Sequence, residues 1–275
     1  MSKYNDVDIK NWQNEDINTD SLWLINERDK SGKHSNIYHG NFVPQIPNQL
    51  IRRFTKQGET VLDLFMGSGT TLFECEKLSR NFIGFDINET IIGFVENQMN
   101  ETQNIEFKIH NCDVTNKQDF DTSINNQKVQ FLIAHPPYLD IVKFTEKVED
   151  LSQISDTKIF LEKLITAIGN GLNYLEKDRY FAVVIGDVYK NSEVVPLGFY
   201  VENAIKQNFK VKLKGIIVKN IEGNRGKIGQ NTIWKYRAMQ SDYYIFKHEY
   251  IFEINEILYE RKNDIFRCHR TGYAA

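Results

Sequence analysis

Val61-Leu62-Asp63-Leu64-Phe65-Met66-Gly67-Ser68-Gly69-Thr70-Thr71 is the stretch that decides the fold. It reads as a short apolar strand that turns on two glycines into a helix. Glycine accepts the backbone such a turn demands and, lacking Cβ, lets a ligand come close to the chain. The first N–H groups of the helix are then unpaired and point at that ligand.

Working outward, strand and helix patterns alternate. Upstream, His39-Gly40-Asn41-Phe42-Val43-Pro44-Gln45-Ile46-Pro47 holds two prolines that exclude a helix before Pro47, itself a good first helical residue. A short helix over Asn48 to Lys56 is expected, closed by Gly58. Downstream, a helix from Thr70 to Ser79 precedes a strand over Asn81 to Phe85, and Asn88 is placed to cap a helix reaching Met99. Further strands are expected over Ile105 to His110, Val129 to Ala134 and Tyr180 to Ile185, with helices over Asp156 to Leu175 and Gly198 to Asn208. Phe209 to Val218 and Tyr243 to Phe252 are expected as two closing strands with no helix between, paired antiparallel. The expected fold class is α/β: a doubly wound, mostly parallel seven-stranded sheet with an antiparallel last strand. Residues 1–36 read as an N-terminal arm that docks through Trp12 and Leu22-Trp23-Leu24-Ile25. Residues 37–252 read as the catalytic domain and 253–275 as a tail.

Composition narrows the classes. The 275 residues are 41% hydrophobic and 26% charged, values of an ordinary globular domain with a real core. No apolar run approaches the roughly 20 residues that span a bilayer, and residues 1–6 hold no signal-peptide core, so a cytoplasmic protein without a membrane partner is expected. Cys75, Cys112 and Cys268 form no Cys-x-x-Cys pair, which argues against a disulfide framework or a metal site. A net charge of only −3 means that any nucleic acid must be met by a local basic surface.

In a doubly wound sheet the ligand sits at the carboxyl ends of the strands, beside the first one. Gly67 and Gly69 occupy that place. Asp86 lies about 20 residues beyond Gly67, where a carboxylate can accept from ribose hydroxyls. Asp113 follows the third strand and can accept from an adenine amino group. Asp63, inside the first strand, needs a partner if buried, and a ligand ammonium is one. No lysine follows Gly69, which excludes a P-loop. Ribose, adenine and a charged amino-acid tail together point to S-adenosylmethionine as cofactor.

His135-Pro136-Pro137-Tyr138 follows the apolar strand Phe131-Leu132-Ile133-Ala134. The prolines stiffen the turn and remove two donors, leaving carbonyl acceptors at the sheet edge. Tyr138 offers a flat face on which a base can stack. Acceptors beside an aromatic face suit the methylation of an exocyclic amine, whose hydrogens must be held while its lone pair attacks in line.

These residues resemble the amino methyltransferases of DNA, a family with a seven-stranded S-adenosylmethionine-dependent fold and an Asp/Asn/Ser-Pro-Pro-Tyr/Phe/Trp motif. Phe42 and Pro44 lie in a segment similar to the one that lines the methionine end of the family's cofactor. Asp63, Phe65, Gly67, Ser68, Gly69, Thr70 and Thr71 are similar to its cofactor motif, and Asp86, Ile87 and Asn88 to its ribose motif. The resemblance implies a site-specific transferase acting on adenine N6 or cytosine N4 of a base flipped from double-stranded DNA, with a restriction endonuclease or specificity subunit as partner. His135 departs from the motif. A neutral imidazole accepts through one ring nitrogen and a protonated one through none. Activity is therefore expected to fall below about pH 6.5, the reference histidine pKa.

The nucleic acid is expected along a basic loop, residues 219–241, whose Lys219, Arg225, Lys227, Lys235 and Arg237 interleave with Trp234 and Tyr236. The loop after Tyr138, with Lys143, is a second contact. Two other readings stay open here: transfer to guanine N2 of RNA or to a protein glutamine, and a nucleic-acid-binding homologue impaired by His135.

Overall fold

Alternation of strand and helix runs through the computed structural model, which describes residues 4–34, 40–101, 104–221 and 231–256. In chain order the elements are β1 (Leu22–Trp23), α1 (Gln45–Phe54), β2 (Thr60–Asp63), α2 (Thr70–Leu78), β3 (Asn81–Asp86), α3 (Glu89–Met99), β4 (Phe107–Asn111), α4 (Lys117–Ile124) and β5 (Val129–Ala134). Then follow α5 (Thr157–Leu172), β6 (Leu175–Ile185), the hairpin strands β7 (Val188–Lys190) and β8 (Glu193–Val195), α6 (Leu197–Asn208), β9 (Val211–Asn220), α7 (Asn231–Gln240) and β10 (His248–Glu256).

The main sheet runs β1-β9-β10-β6-β5-β2-β3-β4. β2 is parallel to both β3 and β5, β3 to β4, and β5 to β6. β10 is inserted between β6 and β9 and is antiparallel to both. Every residue of β2 is buried, as is β5 apart from Gln130, the continuous apolar pattern of strands covered on both faces. One apolar layer holds Leu62, Leu132, Phe160, Leu164 and Phe181. The other, across the sheet, holds Ile46, Leu50, Val61, Phe131 and Ile251. The doubly wound class is as expected.

Several boundaries differ from the sequence expectation. The sheet has eight strands, the eighth being β1, which the arm contributes by pairing parallel with β9. Trp23 is driven there by burial, and its Nε1 donates to Asp20 O at 2.8 Å. β10 runs from His248 to Glu256, past the strand end expected at Phe252. A helix, α7, does stand between the last two strands, and α4 and the β7–β8 hairpin were not anticipated. Among the described residues no helix is long and apolar enough to cross a membrane.

Chain order runs outward from β2 to β3 and β4 on one side, and through β5 and β6 on the other. The switch point thus lies between β2 and β5, where Asp63 pairs with Ile133. A doubly wound sheet opens its ligand crevice at that point.

Candidate active site

A cavity of about 930 Å³ occupies the crevice. Phe65, Met66 and Gly67 reach it from the end of β2, Asp86 and Ile87 from β3, Cys112 and Asp113 from β4, and His135 to Tyr138 from β5. The glycine turn and the Pro-Pro-Tyr turn, 60-odd residues apart in sequence, therefore open into one space.

The turn is held from within. Gly67 N donates to Asp86 Oδ2 at 2.8 Å, Asn88 N donates to Asp86 Oδ1 at 2.8 Å, and Met66 N donates to Phe85 O at 2.9 Å. Burial pushes the Asp86 carboxyl up to about 6, against the pull of those backbone donors. Gly69 starts α2 at φ 82°, where a Cβ would lie 2.9 Å from Val95 Cγ1. Glycine is required there for both backbone and space.

Of the expected cofactor residues, Phe42, Phe65, Gly67, Thr70, Asp86, Ile87 and Asp113 line the cavity. The others support it without lining it. Pro44 precedes α1, Ser68 Oγ accepts from Asn41 Nδ2, and Asn88 Oδ1 caps α3 by accepting from Thr90 N. Asp63 needs a correction. It is buried away from the cavity and accepts from Thr71 Oγ1 at 2.6 Å and from Phe65 N at 3.0 Å. Its expected contact with a ligand ammonium is replaced by a tie between β2 and α2, and desolvation lifts its carboxyl to about 7. Asp113 accepts from Thr115 N at 2.8 Å and Thr115 Oγ1 at 2.9 Å, which steadies the turn after β4.

In the second turn, His135 sits 4.8 Å from the Phe42 ring, centroid to centroid, and its Nε2 is 3.2 Å from Tyr138 Oη. Tyr138 donates to Glu249 Oε2 at 3.0 Å, and Glu249 Oε1 pairs with Lys219 Nζ at 3.1 Å. Gly186 leaves room for the tyrosine ring, since a Cβ there would lie 2.8 Å from Tyr138 Cε2. Burial holds His135 down to about 4 and lifts the Tyr138 hydroxyl well above its usual range. An imidazole held that low keeps its neutral form at pH 6.5, which moves the expected loss of activity toward pH 4.

The loop after Tyr138 closes over the crevice. Lys147 Nζ donates to Ile87 O at 2.9 Å, and Phe144 and Leu151 line the cavity. The arm supplies a residue that the sequence did not single out. Arg28 Nη1 donates to Phe42 O at 2.9 Å, while its Nη2 is buried without a hydrogen-bond partner. A guanidinium with a spare buried donor at the edge of a cavity fits a carboxylate, as the amino-acid end of S-adenosylmethionine would provide. Its signal in the sequence was a lone arginine in a polar arm.

Among the described residues, one cation of the expected basic surface is turned inward. Lys219 is buried and ion-paired, because in the β9–β10 register it stands opposite Glu249. Arg225 and Lys227 lie outside the described residues, as does the side chain of Trp234. Lys143 is exposed in the covering loop, and Lys235 and Arg237 are exposed on α7, a helix where a basic loop was expected.

Residues 1–97 match the family model described as DNA methylase. The resemblance to the amino DNA methyltransferases holds. The match takes in the arm, the glycine turn and Asp86, and stops short of the Pro-Pro-Tyr turn. The chain is 37% identical over 67 residues to the Type II methyltransferase M.MjaII of Methanocaldococcus jannaschii, which is 24% of this chain and 13% of that protein. With M.MjaI of the same organism it is 41% identical over 59 residues, 22% and 20% of the two chains. The chain thus spans a fifth or less of the length of these relatives. Among solved structures it is similar to TrmN from Thermus thermophilus, at a TM-score of 0.50 and 14% identity, over 78% of this chain and 49% of that one. That likeness concerns the fold.

Proposed function

We propose that the protein is an S-adenosylmethionine-dependent methyltransferase acting on an exocyclic amine of DNA, adenine N6 or cytosine N4. One observation carries the reading: the glycine turn after β2 and the His135–Tyr138 turn after β5 line the same cavity at the switch point of the sheet. The family match and the Type II relatives support DNA as the substrate.

Bound S-adenosylmethionine supplies an electrophilic methyl group on a good sulfonium leaving group. The residues do the rest. Asp86 accepts from the ribose hydroxyls, Asp113 faces the adenine, and Arg28 takes the carboxylate. A base flipped from the duplex stacks on Tyr138. The Pro136 carbonyl and His135 accept the amine hydrogens, which turns the nitrogen lone pair toward the methyl. No general base is needed before attack, since the amine is already neutral. Lys143, Lys235 and Arg237 meet phosphates, and a restriction endonuclease or specificity subunit is the expected partner.

Mass spectrometry of nucleosides from duplex DNA incubated with the protein and methyl-labelled cofactor tests the reading. Labelled N6-methyladenine or N4-methylcytosine is the expected product. Label found only in RNA or only in protein would overturn it. The departure at His135 favours one rival, a binding protein without turnover, and cofactor binding with no product on any DNA would establish that rival.

A further inference from the structure

The polar chain behind the Pro-Pro-Tyr turn has a direction. Glu249, paired with Lys219, is a carboxylate and can only accept. The single hydroxyl proton of Tyr138 therefore goes to Glu249 Oε2, at 3.0 Å. What remains on the tyrosine oxygen toward His135 is a lone pair, 3.2 Å from the ring nitrogen Nε2. That nitrogen must carry the ring's proton.

We propose that Glu249, acting through Tyr138, is a positioning residue that fixes His135 in its Nε2–H tautomer and so leaves Nδ1 as a lone-pair acceptor. Two antiparallel strands supply the device: Lys219 on β9 and Glu249 on β10 are cross-strand partners. Burial of the ring keeps it uncharged, and with one proton already placed, one acceptor is free. The charged groups around the ring pull oppositely, Glu249 raising its proton affinity and Lys219 lowering it. His135 then does for an amine hydrogen what a carboxylate, amide or hydroxyl oxygen does in the resembled motif. This catalytic meaning rests on the function proposed above; the tautomer itself does not.

The test is long-range proton–nitrogen NMR on the full chain labelled with ¹⁵N-histidine, with the His135 signal assigned by its loss in His135→Gln. At pH 7.5 the wild type should show a single Nε2–H tautomer. Tyr138→Phe and Glu249→Gln should each lose that single-tautomer signature, with a fall in kcat larger than any rise in KM for the methyl acceptor. An Nδ1–H tautomer, a mixture or a protonated ring in the wild type would overturn the proposal, whether or not the variants fold. So would an unchanged tautomer in both folded variants. A fixed Nε2–H tautomer in a protein that methylates nothing would leave the wiring standing and remove the proposed function instead.

Discussion

At the residue scale, two desolvated titratable side chains set opposite pH behaviour. With His135 held near 4, transfer should be flat from about pH 5.5 to 8 as far as this ring is concerned, and should fail only toward pH 4 as the imidazole gains its second proton. Single-turnover rates across that range check it, and a midpoint near 6.5 would show the ring to be solvated. Asp63 works on stability. Its folded pKa of about 7 lies above the ordinary carboxylate value, so between roughly pH 4 and 7 the folded chain holds a proton that the unfolded chain has released. Stability then falls as pH rises through that window, by up to about 1.4 kcal/mol per pH unit for one group. In Asp63→Asn that contribution is gone, so the melting temperature of the variant relative to wild type should climb from pH 5 to pH 8. A pH-independent difference would mean that Asp63 is not lifted.

Much of the site was legible at this scale because its chemistry is local in sequence. Gly67, Asp86, Asp113 and His135 to Tyr138 all sit at strand ends, and the strand pattern alone brings them to one edge. Asp63 was misjudged because its neighbour Thr71, eight positions on, is as good a partner as any ligand. Lys219 was misjudged because only register reveals that it faces Glu249.

At the element scale, the arm and the first helix after the glycine turn carry clear costs. Trp23 is almost fully buried where β1 meets β9, and Trp23→Ala should cost about 3–5 kcal/mol by denaturant titration. The same change should weaken cofactor binding, because Arg28 is carried by the segment that follows β1. At the start of α2, Gly69→Ala adds a Cβ in a left-handed backbone against Val95. A loss of at least about 1–2 kcal/mol is expected from the backbone alone, readable as a lower melting temperature. Asn88 is legible as a helix cap from its side chain, whereas Asp156, expected as the first helical residue, is the cap of α5. By contrast, β1 has only two residues, too few for any periodicity to signal, and α7 was hidden by the glycines that precede it in sequence.

At the scale of the whole molecule, a chain of net charge −3 that acts on DNA as proposed would have to meet it with a local basic surface, of which Lys143, Lys235 and Arg237 are exposed among the described residues. Lys143→Glu in the covering loop should weaken DNA binding at every sequence alike and lower the salt slope by about one. Equilibrium binding at several salt concentrations reads both, and a change in sequence preference would assign Lys143 to base contact instead. The α/β class followed from alternation, whereas the eight-stranded order needed tertiary pairing that no local pattern encodes.

The insertion of β10 has a consequence for how the chain is made. β9 touches β6 only through β10, and β1 touches the rest of the sheet only through β9. As the chain is synthesised, β2 to β6 can assemble while β1 and β9 wait without a place in the sheet. β10, the last strand among the described residues, is thus a keystone that docks both at once, and brings Glu249 to Tyr138 in the same event. A chain stopped at residue 247 should keep its parallel half resistant to protease and leave the arm open to cleavage. Full protection of the arm without β10 would refute that order of assembly.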